Sequence, residues 1–260
     1  MGIFSRIGNV LSNSHKGSKN KVSLSEARMP ERHRAYVIGD IHGRADLLKV
    51  VLDKVADDMT TAPPNVYLIF LGDYVDRGHQ SREVIDMILS YSQPGLNVVT
   101  LAGNHEEAML DFLREPHGAS DWLRFGGIAT LHSYRVGSPP GVLTREKQEV
   151  IAENLNENLP DKHRQFLEDL DDWFELGDYM FVHAGIDPSR SLSRQDPQQS
   201  RWIREPFLSH SRLYEKVVVH GHTITDKPEF HPNRISIDTG AYYSGNLTCL
   251  VLENNDRRRL

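Results

Sequence analysis

"NVYLIFLGDYVDRG", Asn65 to Gly78, starts as an unbroken apolar run and stops on a glycine and an aspartate. A short β-branched and aromatic run closed by Gly72 reads as a strand buried on both faces. The segment after it, "SREVIDMILS", puts Val84, Ile85, Ile88 and Leu89 on one helical stripe, with Ser81 expected as its N-cap. Upstream, "RAYVIGD" repeats the pattern and ends on Gly39 and Asp40. "DLLKVVLDKV" follows it with Leu47, Leu48, Val51, Leu52 and Val55 in helical register. Downstream, "LNVVTLAGN" is a third such strand, ending on Gly103 and Asn104. Three consecutive βα units predict parallel strands, right-handed crossovers and a layered α/β core. Sheets of this kind bind ligands beyond the carboxyl ends of their strands, so Asp40, Asp73 and Asn104 are expected along one edge.

The remaining chain is read against that core. Residues 1–32 are rich in Ser, Asn and Lys and are expected to form a flexible N-terminal tail. Within it Ile3, Phe4, Ile7, Val10 and Leu11 recur at helical spacing ahead of Lys16, Lys19 and Lys21. A short surface helix touching a membrane or a partner is the alternative to a frayed end. Residues 33–254 are expected to form a single domain, and 255–260 a basic C-terminal tail. From about 115 to 170 the alternation gives way to mostly helical patterning, broken by "RVGSPPGV". This reads as an inserted cap beside the site. Strands resume in "WFELGDYMFVHAG", where "LGD" suggests a tight turn, and then in "EKVVVHGH", "RISIDTG" and "LTCLVL".

Bulk properties narrow the function. The 260 residues carry a formal net charge of -6, which argues against a nucleic-acid binder that works by neutralising phosphates. A local positive site for a phosphate ester remains compatible with that charge. The one cysteine, Cys249, lies in an apolar run and reads as a small buried hydrophobe; a cytoplasmic, reducing compartment is expected. No apolar run approaches the roughly 18 residues of a membrane span.

The polar residues at the strand ends carry the chemistry. Asp40, His42, Asp73, Asn104, His105, His183, His220 and His222 supply oxygen and nitrogen donors without a thiolate. That set suits divalent Mn, Fe or Zn in a catalytic rather than a closed structural site. So many donors exceed the needs of one tetrahedral ion and fit two adjacent ones, with a shared carboxylate, most simply the central Asp73. Any one of these residues alone would read as a cap or a surface polar group; their recurrence at strand after strand is what points to a site.

"GDIHG", "GDYVDRG", "GNHE", "VHAG" and "HGHT", in that order, resemble the motif set of the phosphoprotein phosphatase family of dinuclear metallophosphoesterases, from about Arg34 to Leu252. The resemblance implies a calcineurin-like β-sandwich flanked by helices. It implies two divalent cations, most simply Mn²⁺, with Fe²⁺ or Zn²⁺ compatible. Asp40 and His42 would hold the first, Asp73 would bridge, and Asn104, His183 and His222 would hold the second. His220 is the competing ligand, otherwise turned to the opposite side of its strand or supporting the site from behind. Arg77 matches the family's phosphate clamp; Arg204 in "RWIREPF" is the expected second clamp, with Arg201 its nearest competitor. His105 would protonate the leaving group and Asp76 would hold its imidazole. Tyr242 or Tyr243 approaches the site, although the family's preceding asparagine is Ala241 here.

The implied reaction is hydrolysis of phosphate monoesters by in-line attack of a metal-bridging hydroxide. A serine/threonine protein phosphatase is the leading reading, with a phosphoprotein or small phosphorylated partner. The alternatives are a symmetrical dinucleoside tetraphosphate hydrolase and, in a different class, an inactive phosphate-binding module. A metal-dependent nuclease fits less well, because the histidine such enzymes tend to carry after the terminal "GH" is absent from "GHTIT".

Overall fold

The computed structural model describes residues 21–137 and 141–260. Strands β1 (His33–Ile38), β2 (Asn65–Phe70) and β3 (Leu96–Thr100) alternate with helices α1 (Ala45–Met59), α2 (Ser81–Ser90) and α3 (Asn104–Arg114). The three strands pair in parallel. Between α3 and the next strand lie a distorted turn at Leu123–Gly127 and helices α4 (Ile128–Ser133), α5 (Arg145–Asn158) and α6 (Asp161–Glu168). Then come β4 (Trp173–Leu176), β5 (Tyr179–Val182), α7 (Pro197–Trp202), β6 (Val217–His220), β7 (Glu229–Phe230) and β8 (Arg234–Ser236). A one-turn helix α8 (Ala241–Ser244) and strands β9 (Cys249–Glu253) and β10 (Asp256–Arg259) end the chain.

The strands form two five-stranded sheets, ordered β10-β9-β1-β2-β3 and β4-β5-β6-β8-β7. Alternation along each strand decides how they stack. Ala35 and Val37 of β1 face Phe181, Val219 and Ile235 across the sandwich interior. Tyr36 and Ile38 face the other way, onto Leu48, Leu52, Val84 and Ile85 of the helices. The first sheet is therefore apolar on both faces, which is why its strands read as continuous runs. The outer face of the second sheet is covered by Ile186, Ile203, Phe207 and Tyr214. A two-sheet sandwich flanked by helices is thus the architecture, as the motifs implied.

Three expectations need correction. Part of the presumed N-terminal tail packs on the sandwich: Val22 N–H donates to Tyr214 O at 2.9 Å, and Ala27 and Met29 are buried in the interior cluster. A few apolar residues suffice to join the interior cluster there, and the polar composition around them hid this. The remainder, including Ile3 to Leu11, Lys16 and Lys19, lies outside the described residues. The basic C-terminal segment is also structured, because β10 pairs antiparallel with β9. Its Arg258 Nη2 meets both carboxylate oxygens of Asp58, at 2.6 and 2.7 Å, so the charged run is an edge strand with partners, a placement charged residues suit. Thirdly, Ser81 is the first residue of α2 and not its cap; its buried hydroxyl accepts from the Asp76 N–H at 3.1 Å. Among the described residues, no helix is long and apolar enough to cross a membrane.

Candidate active site

The three βα turns bring Asp40, Asp73 and Asn104 to one sheet edge, and the loops after β5 and β6 add His183 and His222. A hollow of about 230 Å³ opens there, lined by Asp40, His42, Asp73, Arg77, Asn104, His105, Arg204, His222 and Asp238, with Ala108, Trp122, Phe125 and Trp202 at its walls. The backbone that shapes it is strained. Among the described residues eight non-glycines have positive φ, and five of them are His42, Asp73, Asp76, Arg77 and His222. Each costs on the order of 1–3 kcal/mol and persists only where its surroundings enforce it.

Asp73 sits at the centre. One carboxylate oxygen lies 3.3 Å from His42 Nε2, the other 3.4 Å from His183 Nε2. Asn104 Oδ1 is 3.0 Å from His183 Nε2 and 2.8 Å from His222 Nδ1. Two triads, His42–Asp73–His105 and Asp73–His183–His222, each hold their donor atoms within 4.8 Å of one another and share Asp73. Asp40 accepts the backbone N–H of His222 at 3.0 Å. Gly103 is required by this crowding, since a Cβ there would lie 2.2 Å from an Asp73 oxygen.

The electrostatics suit cations. Burial pulls His42 down to about 3 and His222 to about 2, and lowers His183 as well, so all three offer neutral lone pairs. Burial would raise Asp73, but the surrounding histidines override it and hold its carboxyl far below the usual range. Asp40 is pushed well up by burial and by the charges of Asp238 and Asp73. Among the described residues the buried His222 Nε2 has no hydrogen-bond partner. Crowded carboxylates, neutral imidazoles and an orphaned nitrogen are what a cation pair would relieve, and the donor set fits one.

His105 behaves differently from the other histidines. Its Nδ1 meets Asp76 Oδ2 at 2.6 Å, which leaves Nε2 beside Arg77 Nη2 at 3.3 Å and Asp73 Oδ2 at 3.9 Å. Burial pulls its pKa down, but the carboxylates of Asp73 and Asp76 more than reverse this, raising it to about 9. Arg77 lies over the Tyr242 ring at 4.7 Å, a cation–π contact that orients its guanidinium. Arg204 lines the hollow and donates to His222 O at 3.4 Å. Arg201 is engaged elsewhere, with Glu107 at 2.8 Å and with Asp172. His220 is turned away from the triads: its ring packs at 5.0 Å from Phe207 on the outer face of the second sheet.

Four residues of the site were missed in the sequence. Glu106, in the same "GNHE", is buried and accepts from the N–H groups of Asp73, Tyr74, Val75 and Gly103 at 2.9, 2.7, 3.2 and 3.0 Å. It ties α3 to the strained turn; its place three residues after Gly103, at the third helical position, was the available signal. Asp238 faces Asp40 and accepts from Gly240 N–H at 2.8 Å. It lies just after β8 in "SIDTG", where the glycine follows the aspartate instead of preceding it as at Asp40 and Asp73. Trp122 and Thr130 both donate to Asp76. No local pattern announces either one.

A two-sheet sandwich that gathers these donors at one edge defines a metal-dependent phosphoesterase. The calcineurin-like phosphoesterase family matches residues 33–249, and the chain belongs to that family. It is 26% identical over 234 residues to an asymmetrical bis(5'-nucleosyl)-tetraphosphatase of Anoxybacillus flavithermus, covering 82% of this chain and 88% of that one. It is 29% identical over 221 residues to serine/threonine-protein phosphatase 2 of Salmonella typhimurium, covering 82% and 90%. Its fold resembles that of a cold-active protein-tyrosine phosphatase of a psychrophilic Shewanella species, with a TM-score of 0.57, 18% identity and coverage of 90% and 83%. The protein is a hydrolase that cleaves phosphoester bonds with divalent metal.

Proposed function

We propose that this enzyme is a protein phosphatase acting on phosphoserine or phosphothreonine, with two manganese ions held by Asp40, His42, Asp73, Asn104, His183 and His222. The observation that supports the substrate reading is the count of guanidinium groups at the hollow. Among the described residues Arg77 and Arg204 are its only lining arginines, set among Asp40, Asp73 and Asp238. Two guanidinium forks match one phosphoryl group; a tetraphosphate would bring further anionic groups that this lining does not meet. When bound, the cations supply Lewis acidity toward the phosphoryl oxygens and the attacking water.

The chain's own residues do the rest. Arg77, steadied on Tyr242, and Arg204 orient the phosphoryl group and take up charge that grows on its oxygens. His105, cationic at neutral pH, gives the Nε2 proton to the leaving alkoxide, and Asp76 keeps the ring aimed. Neutral His42, His183 and His222 are ready as donors without first losing a proton.

A dinucleoside tetraphosphate is the second reading, favoured by Phe125 and Trp202, which stand 62% and 43% exposed at the walls and offer rings for stacking. The relative of that type is asymmetrical, whereas the alternative drawn from the sequence was the symmetrical hydrolase. A panel of phosphothreonine peptide, phosphotyrosine peptide, diadenosine tetraphosphate and single-stranded DNA, each with Mn²⁺, decides by kcat/KM. The phosphothreonine peptide should lead; a lead for the dinucleotide overturns the protein-phosphatase assignment.

A further inference from the structure

Asp76 is wholly buried, and its two oxygens take three side-chain donors. Oδ2 receives His105 Nδ1 at 2.6 Å and Trp122 Nε1 at 2.8 Å; Oδ1 receives Thr130 Oγ1 at 2.7 Å. Thr130 Oγ1 also accepts the Asp76 backbone N–H at 2.8 Å, and lies 3.0 Å from Ser81 Oγ. Trp122 and Thr130 flank the distorted turn Leu123–Gly127, outside every motif the sequence singled out as catalytic. That turn is built against the site loop: Gly126 has φ +124° and accepts the Arg77 N–H at 3.2 Å. A Cβ on Gly126 would lie 2.8 Å from Arg77 N, so this approach needs a glycine.

We infer that Trp122 and Thr130 are positioning residues for proton delivery to the leaving group, acting on His105 through the Asp76 carboxylate. This rests on the reading of His105 as the acid. A carboxylate with a single imidazole partner can rotate about its side-chain bond and carry the ring with it. Indole and hydroxyl donors on its two oxygens remove that freedom, and both are buried, at 2% and 0% exposure. Trp122 also packs its ring on Phe112 at 5.1 Å, so the donor is itself held in place. In the reaction the Nε2–H bond of His105 breaks as the ester P–O bond breaks. The proton passes to the departing oxygen and the imidazole is left neutral, its Nδ1 still held by Asp76.

Leaving-group dependence tests this, because a proton donor matters for a poor leaving group and hardly for a good one. Single-turnover rates of the manganese-loaded enzyme are compared on phenyl phosphate and 4-nitrophenyl phosphate, whose similar shape makes binding differences small. Trp122→Phe and Thr130→Val should each slow phenyl phosphate about tenfold, in the range of lost supporting contacts, while 4-nitrophenyl phosphate changes less than about twofold. Equal losses on both esters, or none on either, overturn the proposal. Melting temperature reports folding; should Trp122→Phe fail to fold, Thr130→Val gives the same readout from the other carboxylate oxygen. His105→Asn is run in parallel. If it slows both esters equally, the acid role itself falls. If it discriminates between them while the Trp122 and Thr130 variants do not, only the positioning role falls.

Discussion

Asn104 and His222 meet at 2.8 Å, Oδ1 to Nδ1, across 118 positions of sequence. Neither has a local reason to be buried, yet they are 6% and 8% exposed. Their contact ties Asn104 to the Asp73–His183–His222 triad, and the consequences of that centre can be measured.

Asp73 is common to both triads, so Asp73→Asn should disturb both at once. Metal content by elemental analysis is expected to fall from about two equivalents to one or fewer, with hydrolysis falling to background. Full metal content in the variant would contradict a shared ligand.

His105→Asn should separate chemistry from metal binding. Nδ1 of His105 is already taken by Asp76 at 2.6 Å, which suits a proton donor better than a ligand. The expected loss is on the order of 10²–10⁴ in kcat, at unchanged manganese stoichiometry. Loss of one metal equivalent would make His105 a ligand instead.

Arg204 and Arg201 make a paired test. Arg204→Ala should lower kcat/KM about 10²–10³-fold, as expected for a lost charge-stabilising donor, with little change in melting temperature. Arg201→Ala should do the reverse, because it leaves Glu107 without its 2.8 Å partner; a stability loss of about 1–3 kcal/mol is expected from denaturant titration. An exchange of these two phenotypes would move the clamp to Arg201.

His220 gives a pH signature independent of catalysis. Burial lowers its pKa from 6.5 to about 3, so the fold holds it neutral. The unfolded chain takes up a proton below about pH 6.5 and the folded chain does not, so the stability His220 contributes is present above that pH and lost as pH falls toward 3. In chelator, wild type should therefore lose about 1.4 kcal/mol per pH unit relative to His220→Phe between pH 6 and 5, read from urea midpoints. Parallel pH profiles for the two proteins would refute a neutral His220.

How far the sequence could be read depended on distance along the chain. The βα alternation and the glycine-polar strand ends are local patterns, so the buried strands, the helical stripes and the polar residues of one sheet edge were legible. Asp76 and Arg77 were legible because they lie beside a strand end already marked. Asp238 lacks the preceding glycine that marked the other strand ends and was passed over. Glu106 was quoted with its motif, but three of its four backbone partners, Asp73, Tyr74 and Val75, come from a turn some thirty positions away.

By itself the sequence determined the α/β class, the motif order and the residue types able to hold divalent metal, because each is set by neighbours within a few positions. Only the tertiary structure decided which of near-equivalent residues face the hollow. In a continuous strand His220 and His222 would share a face; His222 turns in while His220 packs on Phe207 because β6 ends at His220 and the chain leaves it through His222 at φ +62°. Arg204 reaches the hollow while Arg201 is drawn to Glu107 and Asp172. Trp122 and Thr130 join Asp76 only because a segment some fifty residues downstream folds back over the site loop. Long-range packing selects among side chains whose local patterns are alike.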